Sequence, residues 1–232
     1  MAVFMIPCPI VEGEIDQIPP MTIQTLHSLT TFVVERVKTA RRFIIRIHHP
    51  IPIDQMIFFE FDKHQPENGL YEFLDAHAYN KDIGVLSDAG CPGVADPGSL
   101  VTKWAHEHNL SVKPAIGPSS ILLALMASGL NGQEFAFHGY LPNKIPQLTQ
   151  KLKSLSHELR SSPMTHIFIE APYRNGFLIR QCLQNLDDGI KLCIATDILS
   201  PTMEIATMPV RKWKKEDIER FHKKPSVFLV GK

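Results

Sequence analysis

The 232-residue sequence contains no GxG triplet among its 13 glycines, so the fingerprint that seats a dinucleotide on a βαβ unit is absent. It has no surplus of charge either: 24 lysines and arginines balance 24 aspartates and glutamates, which leaves no global field to draw in a polyanion. The four cysteines, Cys8, Cys91, Cys182 and Cys193, are too scattered for paired metal-ligand spacing or a disulfide framework. Reduced thiols in a cytoplasmic protein are the expectation. The apolar stretch from Met1 to Ile10 lacks a basic flank and is broken by Pro7 and Pro9, so it reads as a buried first strand rather than a leader or a membrane span. Among the 11 histidines, neither His48-His49 nor the pair His106 and His108 has a partner at ligand spacing, and no metal site is expected.

What is present is an alternation. Short apolar runs recur at Val3 to Ile6, Thr31 to Val34, Met56 to Phe61, Ile83 to Leu86 and Ser111 to Ile116, separated by segments of helical length. Strand-helix alternation predicts a parallel sheet. Val37, Ala40, Ile44 and Ile47 share one helical stripe, and Leu70, Phe73, Leu74 and His77 another. After Asn131-Gly132 a second series follows, with strands at Phe135 to His138, Thr165 to Ile169, Leu192 to Ala195, Met203 to Met208 and Ser226 to Val230. Its helices are expected at Gln147 to His157, Asn175 to Leu186 and Lys215 to Phe221. The layout predicts two α/β domains, residues 1–116 and 117–232, with a ligand cleft between them.

Three segments carry chemistry. Ser87 to Gly98 reads SDAGCPGVADPG directly after the fourth apolar run, at the strand end where open α/β sheets place ligand loops. Its glycines let main chain approach a ligand, and Asp96-Pro97 has the form of a helix cap and first turn. Gly117-Pro118-Ser119-Ser120 precedes the apolar segment Ile121 to Ser128, where serine caps a helix and leaves amides for a polar ligand group. Phe168 to Arg174 reads FIEAPYR and puts Glu170 at a strand end and Arg174 in a first helical turn, where a cation opposes the macrodipole. Arg174 therefore serves either an anionic ligand or an ion pair with Glu170.

Taken together, these strings resemble the bacterial small-subunit ribosomal RNA ribose 2′-O-methyltransferases of the tetrapyrrole methylase superfamily. SDAGCPGVADPG is similar to that family's SDAGTPGISDPG, with Cys91 for threonine; IGPSSILLALMASGL resembles its PGPSA helix start, FAFHGYLPNK its FxFxGFLPxK, and IFIEAPYR its IFYEAPHR. The resemblance implies a two-domain α/β tetrapyrrole-methylase fold, with a mostly parallel sheet in the first domain and a mixed sheet in the second. It also implies a homodimer and S-adenosylmethionine as cofactor. By residue-to-residue matching, Ala89, Gly90, Cys91, Val94, Ala95, Ser119 and Ser120 are expected at the cofactor, joined by Ala171, Ala195, Thr196, Pro225 and Ser226. A ribose hydroxyl is a poor nucleophile, so a base or polarising cation is expected within reach, and the candidates are Glu170, Asp88, Arg174 and Lys144, with Glu35 behind them.

The chain departs from the family pattern where substrate is expected. ATPIGNLEDIT becomes Pro7-Cys8-Pro9-Ile10 followed by Val11 to Asp16, AEDTR becomes Val34-Glu35-Arg36-Val37-Lys38, and ARELTKxHEE becomes Ala195 to Glu204 without its arginine and lysine. Arg36 to Arg46 holds five basic residues and no acid, with Lys38, Arg42 and Arg46 in helical register. Such a stripe can track an RNA backbone, although a solvated helix face is its commoner role. Arg211 to Lys215 is followed at once by acids, and Trp213 reads as a packing anchor. Three functions stay open: methylation of a ribosomal or other RNA, methylation of a small molecule such as a tetrapyrrole, and cofactor or RNA binding without catalysis.

Overall fold

The computed structural model describes residues 1–62 and 64–232, without the side chains of Lys215 and Glu216. The chain divides into two compact units, Met1–Ser119 and Ser120–Lys232.

In the first unit, each of the first four strands is followed by a long connection to another strand of the same parallel sheet. The elements run β1 (Ala2–Ile6), α1 (Pro20–His27), β2 (Thr31–Val34), α2 (Val37–Arg46), β3 (Ile57–Glu60), α3 (Leu70–His77), β4 (Ile83–Leu86), α4 (Gly98–Glu107) and β5 (Ser111–Pro114). The sheet order is β3-β2-β4-β1-β5, all parallel. Strand side chains alternate between faces. Ile6, Phe32, Val34 and Leu86 pack with Leu26 of α1 and Ala40, Phe43 and Ile44 of α2. Val3, Met5, Val33, Ile83 and Val85 pack on the other side with Leu70 and Leu74 of α3 and Val101 and Trp104 of α4. β1 leads into α1 on one face and its neighbour β4 into α4 on the other, which makes this pair of strands a switch point of the sheet.

The second unit carries α5 (Ser120–Ser128), β6 (Phe135–Tyr140), α6 (Ile145–Ser161), β7 (Thr165–Ile169), α7 (Asn175–Asn185), β8 (Lys191–Thr196), β9 (Glu204–Pro209) and β10 (Ser226–Gly231). Its order is β6-β7-β10-β8-β9, and only β6 and β7 are parallel, so the sheet is mixed. Phe168, Leu192, Ile194, Phe228 and Val230 face α6 and α7. Ile167, Cys193, Ala195, Val227 and Leu229 face α5 through Ala124 and Leu125. Trp213 is an anchor as expected: it is buried, and its indole N–H donates to the Leu192 and Met208 carbonyls at 3.3 and 3.2 Å.

One expected helix takes a different form. Lys215–Phe221 is a 3-10 helix. Ile218 and Phe221 are both buried, three positions apart, which a three-residue turn stacks on one side.

Candidate functional site

The segment Ser87 to Pro97 follows β4 and is held in shape by the residue after β1 and by polar side chains bonded to its main chain. Cys8 and Gly90 exchange both backbone hydrogen bonds, Cys8 N to Gly90 O at 2.9 Å and Gly90 N to Cys8 O at 3.0 Å, which ties the bend to the end of β1. The Ser87 hydroxyl donates to Gly90 O at 3.0 Å. Asp96 accepts from the amides of Gly93 and Gly98, both at 2.7 Å, through one oxygen. The cap position of α4 is held by Pro97 without a side-chain bond, so Asp96, expected as the cap, lies one residue before it and closes the loop on itself. Gly90 and Gly93 have φ of +73° and +80°, a region a side chain strains to enter. Ala95 sits there too, at +64°. The result is a rigid bend whose outer residues face solvent: Val94 is 46% exposed.

A second loop packs beside the first. After β5, Ala115 N still donates to Met5 O at 2.9 Å, and Ile116 O accepts the Thr22 hydroxyl at 2.7 Å. Gly117 lies so close to Pro7 that an added Cβ would sit 2.3 Å from the proline Cβ. Pro118 O receives the Cys91 thiol at 3.4 Å. Ala89, Gly90, Cys91, Val94, Ala95 and Ser119 therefore belong to two loops bound to each other at one sheet edge. Burial raises the Cys91 thiol's pKa, with a contribution from Asp96, and the thiol stays protonated.

Carboxylates gather at the same edge. Glu35, at the end of β2, accepts the Asp88 amide at 2.9 Å. Arg36 Nε pairs with Asp88 Oδ2. The other Asp88 oxygen is buried and meets no hydrogen-bond partner among the described residues. The pKa values of Glu35 and Asp96 are both raised, chiefly by burial, with Asp88 adding repulsion to each.

The second unit gathers its own candidates at one edge. Glu170 follows β7; one carboxylate oxygen accepts the Ala171 amide at 2.8 Å and the other Arg174 Nε at 3.0 Å. The arginine also lies 5.3 Å from the Phe177 ring centre. Of the two roles open to Arg174, the structure shows the ion pair. Thr196 and Ser226 are register partners across β8 and β10, and Asp197 N donates to Pro225 O at 3.0 Å just beyond them. Ala195 is a core residue, and the hydroxyls of Thr196 and Ser226 donate to Glu204 O and Lys224 O at 3.1 and 2.9 Å. Lys144 is exposed at the start of α6, and Ser120 opens α5.

Several positioning residues had no sequence signal of their own. The Pro7-Cys8 strap, the Thr22 hydroxyl and the Arg36 clamp all act across tens of residues. Asn175 is the clearest case: fully buried at the start of α7, its amide donates to Phe221 O, Lys224 O and Ser226 Oγ at 3.0, 2.7 and 2.9 Å.

No family model matches the chain. It is 27% identical over 230 residues to the ribosomal RNA small subunit methyltransferase I of Buchnera aphidicola, which covers 98% of this chain and 77% of that protein. The Pseudomonas aeruginosa protein of the same name is 27% identical over 235 residues, 98% of this chain and 78% of that one. The Synechocystis one is 30% identical over 162 residues, 70% of this chain and 55% of its own length. Among solved structures, the methyltransferase CobJ superposes with a TM-score of 0.65 at 18% identity, covering 99% of this chain and 92% of that one. The uroporphyrin-III C-methyl transferase from Thermus thermophilus, complexed with S-adenyl homocysteine, has a TM-score of 0.60 at 13% identity, covering 100% and 98%.

Proposed function

We infer that this chain, which belongs to the tetrapyrrole methylase superfamily and has small-subunit ribosomal RNA methyltransferases as its sequence relatives, is an S-adenosylmethionine-dependent methyltransferase acting on a ribose 2′-hydroxyl of ribosomal RNA. The observation that carries this reading is the self-braced bend Ser87 to Pro97, which offers main chain rather than side chains at a switch point of the sheet. A cytoplasmic homodimer goes with the reading, as the family resemblance implies.

The residues suit a cationic sulfonium nucleoside. Glu35, Asp88 and Asp96 make the edge acidic, and Asp88 keeps a buried oxygen unpartnered. Ala89, Gly90, Cys91, Val94, Ala95 and Ser119 would hold the cofactor from the first unit. Ser120, Ala171, Ala195, Thr196, Pro225 and Ser226 are the second unit's candidates, which contribute mainly main chain because their side chains are small or already bonded. When bound, the sulfonium supplies an activated methyl group, so the protein's work is alignment, exclusion of water and removal of one proton.

For that proton we assign Asp88. The 2′-oxygen would take the methyl group as the sulfonium leaves as a neutral thioether, and the hydroxyl proton would go to Asp88 Oδ1, whose lone pairs no described residue uses. Arg36 fixes the carboxylate's orientation through Oδ2, and Glu35 fixes its backbone. Glu170 and Arg174 are closed on each other and brace the end of β7, and exposed Lys144 is left as a cation for the acceptor. Asp88→Asn is expected to lower kcat by about 10²- to 10⁴-fold while S-adenosylhomocysteine affinity stays within a few fold. Calorimetry with S-adenosylhomocysteine, together with a ribose-methylation map of ribosomal RNA from cells with and without the gene, tests the whole reading. Absence of binding removes the enzyme assignment, and an unchanged map removes the acceptor.

A further inference from the structure

Helix α2 shows solvent a face dominated by cations. Lys38, Arg41, Arg42 and Arg46 are exposed along it, while Ala40, Phe43 and Ile44 are buried in the core. Lys38, Arg42 and Arg46 follow at four-residue intervals, so their stems rise in one row about 6 Å apart. No acid occurs between Arg36 and Arg46. Apart from the exposed Ile45, the apolar residues of the helix pack on the sheet, so what remains outside is mostly cationic and suits a polyanion in water better than the hydrocarbon of a membrane. Arginine predominates in this row, and its planar fork grips phosphate through two parallel hydrogen bonds.

The row starts at the site. Arg36, the residue before α2, is the one that clamps Asp88. At its other end, the row is partly occupied by the chain itself. The loop after β1 carries Glu12, Glu14 and Asp16 with no basic residue between Pro7 and Pro19. Glu12 Oε1 accepts from Arg42 Nη1 at 2.9 Å. Gly13 lies directly under Arg46, where a Cβ would fall 1.7 Å from its Nη1. The Gln17 side chain holds the loop by accepting from Ile10 N at 2.8 Å. Both members of the Glu12–Arg42 pair are largely in water, at 70% and 59% side-chain exposure, so the pair exchanges easily.

We propose that the outer face of α2 is the docking surface for the phosphodiester backbone of the acceptor RNA, and that Glu12 is a built-in competitor for Arg42 that RNA displaces. This rests on the reading of the protein as an RNA methyltransferase. The row leads a bound strand toward Arg36 and Asp88, and the acidic loop admits only a ligand whose phosphates outcompete a carboxylate. That supplies selectivity to a protein whose net charge is zero.

The test is fluorescence anisotropy of a labelled single-stranded RNA over a salt series, with the full chain. Neutralising Lys38, Arg42 and Arg46 together to glutamine is expected to flatten the slope of log affinity against log salt by about 2, the loss of three contacts to a single strand. Glu12→Gln is expected to tighten binding severalfold. A control changing Lys81 and Lys103 to glutamine is expected to leave the slope unchanged. An unaltered slope in the triple variant, weakened or unchanged binding in Glu12→Gln, or tighter binding to phosphatidylserine vesicles than to RNA overturns the proposal. Should the triple variant fail to melt cooperatively, Arg42→Gln alone, with an expected slope change of about 0.7, takes its place. Methyl transfer to small ribosomal subunits is followed in parallel. Transfer with unchanged KM in the triple variant overturns the docking surface and leaves the enzyme reading intact. No transfer by the wild type, with the salt slope behaving as expected, does the reverse.

Discussion

Gly98 has no room for a methyl group: an added Cβ would lie 2.8 Å from Asp96 Oδ1 and 2.9 Å from Gly93 N, the two atoms whose hydrogen bond closes the loop after β4. Gly98→Ala is therefore expected to cost about 1–3 kcal/mol in urea unfolding and to abolish S-adenosylhomocysteine binding by calorimetry. Gly90→Val and Gly93→Val act differently. Their positive φ values oppose a β-branched side chain, while most of the surrounding secondary structure does not depend on them. Cofactor affinity is expected to vanish while far-ultraviolet circular dichroism is retained; binding that survives either substitution would contradict the loop assignment. These glycines were legible in the string itself because local backbone geometry demands them, whereas the cap of α4 falls on Pro97 and not on Asp96. Arg36 was legible only as one more basic residue, since its partner Asp88 is brought beside it by strand pairing.

Among the elements, the segment between α7 and β10 depends on a single side chain. The Asn175 amide serves Phe221 O, Lys224 O and Ser226 Oγ, all across more than 40 residues of chain. Asn175→Ala removes the side-chain donor from the buried Phe221 carbonyl and is expected to destabilise the chain by about 3 kcal/mol in chemical denaturation. It should also loosen protection of the amides around Ser226 in hydrogen exchange. The elements themselves follow from periodicity: all ten strands overlap the runs read from the sequence, and the inner strands of both sheets, buried on both sides, leave the most continuous apolar runs in the string. The 3-10 form of Lys215–Phe221 was not legible, because a 3.6-residue and a 3-residue turn bury the same composition over so short a span.

For the molecule as a whole, pH acts through a histidine pair inside the second unit. His138 Nε2 and His166 Nδ1 are 3.0 Å apart, and His166 Nε2 lies 3.7 Å from Glu158. Burial is the largest cause lowering both pKa values, His138 to about 4; Lys151 lowers both further, and Glu158 partly offsets this. The unfolded chain takes up these protons near pH 6.5, and the folded chain resists until well below it. Stability is thus full above about pH 6.5 and is lost as pH falls toward about 4. Urea midpoints between pH 7.5 and 5 are expected to drop, and to drop less in a His138→Gln, His166→Gln variant; equal slopes would exclude the pair as the cause. By itself the sequence determined the strand and helix alternation, the glycine-bearing loop and the kinship those motifs announce, since each is written in local spacing and backbone tolerance. Only tertiary structure decided that Arg36 clamps Asp88, that Glu170 and Arg174 spend their charges on each other, and that an acidic loop rests on the cations of α2. Those pairings join residues that chain order keeps apart, and the energy of a charge depends on what the fold sets beside it.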